Sequence, residues 1–503
     1  MTEPAIANDD RRAGTPSGNH SAPAAGRHRW ARYVALVVAL VASVVVVRAA
    51  ARFGQTWDEP AHLAAGMQWL VQGRYDYDPQ HPPLARIFIA LGPRIDGATA
   101  HGQPTMWSEG NTILVDSGGY RRTLALARLG ILPFFLLLLG VVWGWTRSLY
   151  GEPAAALGVL LVATTPQVLA HAGLATTDLP LAATLLAALW TFTRWLDDPS
   201  SRRSAVFAVA GAAAVGSKFS SLPFFALAAV LIVLARWIIP LPARDGPRHR
   251  RAWREMADYA RPAGAALIAV GVMVWALYRF HLRFAHGGYV PVPAPEMLTG
   301  LRQLASHDQE GHAAYLLGRL GSHGWWWYWW VALLVKTPLA LLSLAALGVA
   351  YTLRTAERRT DWRSLAPLLA ASAVMLIAML SRIDIGVRHI LPLYPLLAIP
   401  AAGAIVAAWA APARSAVTRI VLGGLVAWQA AQAVRTYPDF LADFNAVAGR
   451  HPEHVLVDSN LDWGQDLDRL ADTLRARRVK AVTLFYFGSA PVGSVDRADT
   501  VRL

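Results

Sequence analysis

Two carboxylates stand side by side in Thr56-Trp57-Asp58-Glu59-Pro60-Ala61-His62, directly after an apolar run. Acids beside hydrocarbon are costly unless they are solvated, paired or bound to metal. One reading is a pair of solvated loop acids. The other is a general base at a membrane surface, or a metal ligand, with His62 close by in the sequence as a further ligand for metal or acceptor. A third acid, Asp178, lies in His171-Ala172-Gly173-Leu174-Ala175-Thr176-Thr177-Asp178-Leu179-Pro180. It could simply cap the helix that follows, with Pro180 in the first turn. Capping leaves it free to share a metal or an acceptor with Asp58.

Cations form the second group. His81 lies in Asp78-Pro79-Gln80-His81-Pro82-Pro83-Leu84, Lys218 in Gly216-Ser217-Lys218-Phe219, and Arg388-His389 in Ile385-Gly386-Val387-Arg388-His389-Ile390. The plain reading of the prolines is a turn before an interfacial helix, since Pro-Pro cannot sit inside one. Lys218, Arg382 and Arg388 would then snorkel to headgroups. Together they also suit an anion, because Arg grips phosphate through two parallel hydrogen bonds.

The elements that carry these residues are apolar helices. Of 503 residues, 55% are hydrophobic and 16% charged, against about 25% charged in a soluble chain. Runs long enough to span a bilayer fall near 31–51, 123–146, 154–170, 179–196, 204–218, 222–240, 262–282, 326–350, 365–381, 389–409 and 417–436. The expected fold is mainly α, a polytopic membrane protein of about eleven spans. Loops around Arg147, Arg202–Arg203, Arg244–Arg254, Arg354–Arg363 and Arg414 fall on one side by parity, which makes that side cytoplasmic. The long loops 52–122 and 283–325 fall on the other, with every candidate site residue.

Residues 1–29 read as a disordered cytoplasmic tail, 30–436 as the transmembrane domain and 437–503 as a small extracytoplasmic α/β appendage. In that appendage His454–Asp458 and Val479–Phe487 read as strands and Asp466–Arg478 as a helix. Trp325–Trp330, five Trp and one Tyr, reads as an interfacial belt or as a stacking platform for a sugar. The net charge of +14 is accounted for by the cytoplasmic loops, so nucleic acid is not an expected partner. With no cysteine, disulfides, thiol nucleophiles and Cys-ligated metals are excluded.

Trp57-Asp58-Glu59, His81-Pro82-Pro83-Leu84, Thr177-Asp178-Leu179-Pro180-Leu181 and the Arg388-to-Pro395 segment together resemble the GT-C membrane glycosyltransferases. The resemblance is nearest to the bacterial relatives of dolichyl-phosphate-mannose protein mannosyltransferases and lipid A aminoarabinose transferases, glycosyltransferase family 39-like. Tyr437-Pro438-Asp439-Phe440-Leu441-Ala442-Asp443-Phe444-Asn445 and Asp458-Ser459-Asn460-Leu461-Asp462-Trp463-Gly464-Gln465-Asp466-Leu467 resemble a hallmark of one bacterial subgroup, with no role assigned. The resemblance implies a GT-C arrangement and inverting transfer from a polyprenyl-phosphate sugar on the extracytoplasmic face of the inner (plasma) membrane. The acceptor is a hydroxyl of a lipid, glycan or protein. It further implies that Asp58 is the base with Glu59 supporting it, and that Asp178 binds acceptor or a divalent metal, shared with Asp58. His81, Lys218, Arg388 and His389 become candidates for the donor phosphate. A transporter of polyprenyl-linked glycans is the alternative, but transporters place charges in mid-span and repeat their halves.

Overall fold

The computed structural model describes residues 29–239, 248–284, 291–412 and 415–491. Apart from Arg29, the tail expected over 1–29 lies outside them, as do Arg244 and Arg414 of the expected cytoplasmic loops. A helix or a bent helix pair stands at each of the eleven expected spans. Among the described residues, seven helices are long and apolar enough to cross a bilayer, or up to nine if each of two bent pairs is one span. Glu152–Ala163 meets Pro166–Ala172 at 70°, and Tyr328–Lys336 meets Leu339–Arg354 at 115°. Each break carries a proline, Pro166 or Pro338, which lacks the amide that would continue the helix. The other two expected spans, Ser201–Ser217 and Trp362–Ala378, have 17 residues each. That rises about 25 Å, short of the roughly 30 Å hydrocarbon core. Length and apolarity therefore support seven to nine of the expected eleven.

Small residues hold the helices together. In lipid there is little hydrophobic drive between helices, so association depends on close backbone approach. Leu393–Ala410, where Ala398, Ala401, Ala402 and Ala404 are buried, packs on Leu339–Arg354, Glu152–Ala163 and Trp362–Ala378. The helix Asp178–Asp197, about 30 Å long, fixes two opposite ends. At its C-terminal end Asp197 pairs with Arg363 at 2.5 Å. Arg358 of that loop donates to the Leu149 carbonyl at 2.9 Å, and Arg32 and Arg147 share Glu152. Arg32, Arg147, Arg358 and Arg363 thus gather at one end. At the other end Asp178 meets the acid-bearing loops.

The long loop after the first helix folds into Glu59–Gln72, Pro83–Ile95 and Met106–Asp116, with the first packed on both others. The second long loop carries the helix Pro295–Glu310 between two antiparallel hairpins, Leu282–Phe284 with Pro291–Pro293 and Ala314–Leu316 with Arg319–Gly321. In the C-terminal segment the helix expected over Asp466–Arg478 is Leu467–Ala476. The two expected strands do not form. His454–Asp458 runs between the 3-10 turns Pro452–His454 and Asp458–Asn460, which take its two ends, and Val479–Phe487 pairs with no strand among the described residues. A strand needs a neighbour for its backbone hydrogen bonds, and here the backbone finds other partners. Leu317 N donates to Val455 O at 3.0 Å, and Trp57 N to Trp463 O at 2.9 Å. The expected α/β appendage is therefore one helix with turns among the described residues, laid against the membrane domain.

The start of the acid-bearing helix is pinned by Gly110, where an added Cβ would come within 2.0 Å of the Pro60 carbonyl oxygen. Gly110→Ala is expected to cost about 1–3 kcal/mol, as overpacking does. Thermal unfolding of the detergent-purified protein checks this, and an unchanged melting temperature would contradict the packing.

Candidate functional site

The adjacent acids Asp58 and Glu59 point to different partners. The helix Glu59–Gln72 begins at Glu59, and Asp58 makes no side-chain cap. Glu59 is fully buried. Its two oxygens accept from Arg128 Nε and Nη2, both at 2.7 Å, and from the Thr56 and Ala175 amides, both at 2.8 Å. Arg128 spends its other donors on the carbonyls of Ala50, Phe53 and Gly54. Every hydrogen-bonding position on this pair is occupied by protein. Glu59, expected to be catalytic beside Asp58, instead staples the turn that presents it.

Asp58 faces the other way and is partly exposed. Its Oδ2 accepts from Arg388 Nη1 at 2.7 Å, and its Oδ1 makes no hydrogen bond among the described residues. The same Arg388 nitrogen lies 3.7 Å from Asp178 Oδ2, and Asp178 Oδ1 accepts from Lys218 Nζ at 2.6 Å. Four charges of alternating sign therefore run Asp58, Arg388, Asp178, Lys218. Asp178 is the first residue of its helix, and its carboxylate serves this row. Arg388, expected at the donor phosphate, is paired here with Asp58. It sits on the short 3-10 turn Val387–Ile390.

Lys218 also borders a cavity of about 530 Å³ with His81 and His389. The rest of the wall is mostly apolar and includes Phe219, Leu222, Leu301, Leu304, Trp329 and Ile377. Trp329 of the aromatic run is buried beside His389, with ring centroids 5.9 Å apart, while Trp326 and Trp330 face outward. The run thus gives one Trp to the cavity wall and turns two others outward. One side of the helix Pro295–Glu310 lines this cavity through Leu301, Leu304, Ala305 and Asp308. Its other side lines a second, more polar cavity through Glu296, Thr299 and Gln303.

His81 is held from behind. Its Nδ1 lies 3.1 Å from Asp78 Oδ2, and its carbonyl accepts from the Tyr75 hydroxyl at 2.6 Å. The buried Arg86 ties Asp78, Tyr75 and His62 together, donating from Nε to His62 Nδ1 at 3.0 Å. His62 is buried edge-on to His81, at 5.2 Å between centroids. Burial, with Arg86 and His81 beside it, pushes the His62 imidazole well below its ordinary value. Burial likewise pushes His389 well below, and Lys218 and Arg388 add to that effect. His62, expected on acceptor or metal, therefore supports His81 as a neutral ring.

A metal shared by Asp58 and Asp178 does not fit this arrangement. The Arg388 guanidinium fills the position between them, and among the described residues no cluster of three acidic, His or Cys side chains could hold an ion. Sequence reasoning missed Arg86, Arg128, Asn460 and Trp463. Arg128 carried a readable signal, since a charge inside an apolar run is held there only by a partner. Asp384 was missed as well. It accepts from the Trp325 amide at 2.6 Å, and burial pushes its carboxyl up to about 7.

Residues 125–241 match the family model described as dolichyl-phosphate-mannose-protein mannosyltransferase. No curated protein matches the sequence. Two solved structures of ArnT from Cupriavidus metallidurans share the fold. The one bound to undecaprenyl phosphate has a TM-score of 0.52 at 18% identity, over 83% of this chain and 67% of that one. The apo form has a TM-score of 0.53 at 17% identity, over 84% and 68%. The chain therefore shares the fold of these structures.

The two acids separate by experiment. Glu59→Gln leaves the buried Arg128 without its counter-charge and is expected to destabilise the protein by about 3–5 kcal/mol. Asp58 is partly exposed and Arg388 keeps Asp178 beside it, so Asp58→Asn is expected to lower the melting temperature clearly less than Glu59→Gln. Similar melting temperatures for the two variants would contradict this division.

Proposed function

We propose that the chain is an inverting membrane glycosyltransferase of the inner (plasma) membrane. It moves a sugar from a polyprenyl-phosphate donor to an acceptor hydroxyl on the extracytoplasmic face, the acceptor being a lipid, glycan or protein. The observation that carries this reading is the charge row that runs from an apolar cavity to a carboxylate with a free oxygen. A lipid phosphate needs both an apolar wall and a cation, and Lys218 supplies the cation at the cavity edge. The similarity to a structure bound to undecaprenyl phosphate supports that donor class, as does the match to a mannosyltransferase family model.

The chemistry follows from the placement. The acceptor hydroxyl attacks the anomeric carbon, and the bond from that carbon to the phosphate oxygen breaks. Attack opposite the leaving phosphate inverts the anomeric centre. The hydroxyl proton passes to Asp58, a poor nucleophile being helped in this way by roughly 10²–10⁴-fold. The electron pair leaves with the phosphate, where Lys218 and the ring N–H of His389 meet the developing charge, while His81, its Nδ1–H given to Asp78, lines the same edge. Arg388 aims Asp58, and Asp178 holds Arg388 and Lys218 in place. Glu59 and His62 act behind the site.

Asp58→Asn is expected to lower transfer by about 10²–10⁴-fold, with affinity for undecaprenyl phosphate within about threefold of wild type. Mass spectrometry of envelope glycolipids and glycoproteins, from cells with wild type, variant or no protein, reads the transfer. Near-normal product in the variant would remove Asp58 as base. Lys218→Gln should weaken undecaprenyl phosphate binding by about tenfold or more, the usual worth of a charge-assisted hydrogen bond. Unchanged binding would detach the cavity from the donor.

A further inference from the structure

The Asp458–Leu467 motif is not consumed by the reaction described above, yet it lies against its centre. Trp463 is buried, and the Arg388 guanidinium carbon sits 4.0 Å over its ring. The ring is itself fixed. Trp463 N donates to Gln465 Oε1 at 2.7 Å, and Trp463 O accepts from Trp57 N, the residue before Asp58, at 2.9 Å. The neighbouring Asn460 holds the turn that carries Arg388. Its Oδ1 accepts from Val387 N at 3.0 Å, and its Nδ2 donates to the Tyr328 hydroxyl at 3.0 Å. Ser459 Oγ donates to Ile385 O at 2.6 Å. This approach needs a glycine at 386, where an added Cβ would come within 2.1 Å of Ser459 Oγ.

An aromatic face holds a guanidinium without using any of its five N–H donors. Arg388 Nη1 is given to Asp58, while Nε, buried, has no hydrogen-bond partner. We propose that Trp463, with Asn460 holding the turn that carries Arg388, is the positioning element of this site: it fixes the plane of Arg388 and through it the direction of the Asp58 carboxylate. The proposal rests on Asp58 being the base, and two measurements keep the two claims apart.

The first is a double-mutant cycle on the full-length protein, read by the same transfer product. Trp463→Ala should lower transfer about 30-fold, the worth of a desolvated cation–π contact, with undecaprenyl phosphate affinity within about threefold of wild type. Trp463→Phe, which keeps an aromatic face, should recover most of the loss. In an Arg388→Gln background, Trp463→Ala should cost nothing further, because its effect runs through Arg388. A full 30-fold loss in that background, or no recovery with Phe, would overturn the proposal. The second measurement needs no activity. Phenylglyoxal labelling with peptide mapping should modify Arg388 in Trp463→Ala far faster than in wild type or Trp463→Phe, and equal labelling in all three would overturn the proposal. Normal transfer by Asp58→Asn would instead overturn the functional reading and leave the labelling result standing.

Discussion

A buried guanidinium must be met by negative charge and hydrogen bonds, because the cost of drying it exceeds what any one partner returns. Arg388 is buried at a point where three parts of the chain converge, and each part answers it differently. The first loop offers Asp58, the fourth helix of the membrane core offers Asp178, and the C-terminal segment offers the face of Trp463. None of the three is close to Arg388 in sequence. The site exists because one cation has to be satisfied from all sides, and the helices are held in the register that does it.

The same logic separates a working acid from a structural one. Asp58 and Glu59 are adjacent and chemically alike, so no reading of residue types could divide their roles. The division comes from the helix start. With Asp58 the last residue before the helix and Glu59 the first within it, successive side chains diverge by about 100°. One therefore turns inward to Arg128 and the other toward Arg388. His62 and His81 divide in the same manner, the first enclosed behind Arg86 and the second at a cavity edge.

Much of the architecture was legible because apolar runs of span length are a strong signal. The site residues were legible as charges placed at the ends of those runs. What stayed hidden depended on long-range contact. Arg128 and Arg86 lie in segments that read as helix and loop background, and only the fold reveals the acids they answer. The C-terminal strands were misread from their Val, Phe and Tyr content. Such residues favour strands only where a neighbouring strand is available, and here Val455 is bonded instead to Leu317 of a membrane-domain hairpin, while Val479 N returns to Leu474 O of the preceding helix. The spans at Ser201–Ser217 and Trp362–Ala378 were legible as helices, but their 17 residues leave their crossing undecided by length.

The spacing of the partners along the chain has a consequence for biogenesis. Asp58 and Arg388 are 330 positions apart, and a ribosome adding about 5–20 residues per second takes on the order of 20–70 s to make that stretch. Through that interval Asp58 waits at the membrane surface with no counter-charge, while Glu59 can already be stapled once Arg128 has been made. The nascent protein therefore assembles its scaffold early and its centre late, when the segment that carries Trp463 emerges. A translation product stopped before that point would have its helices in place but lack the seat of its cation.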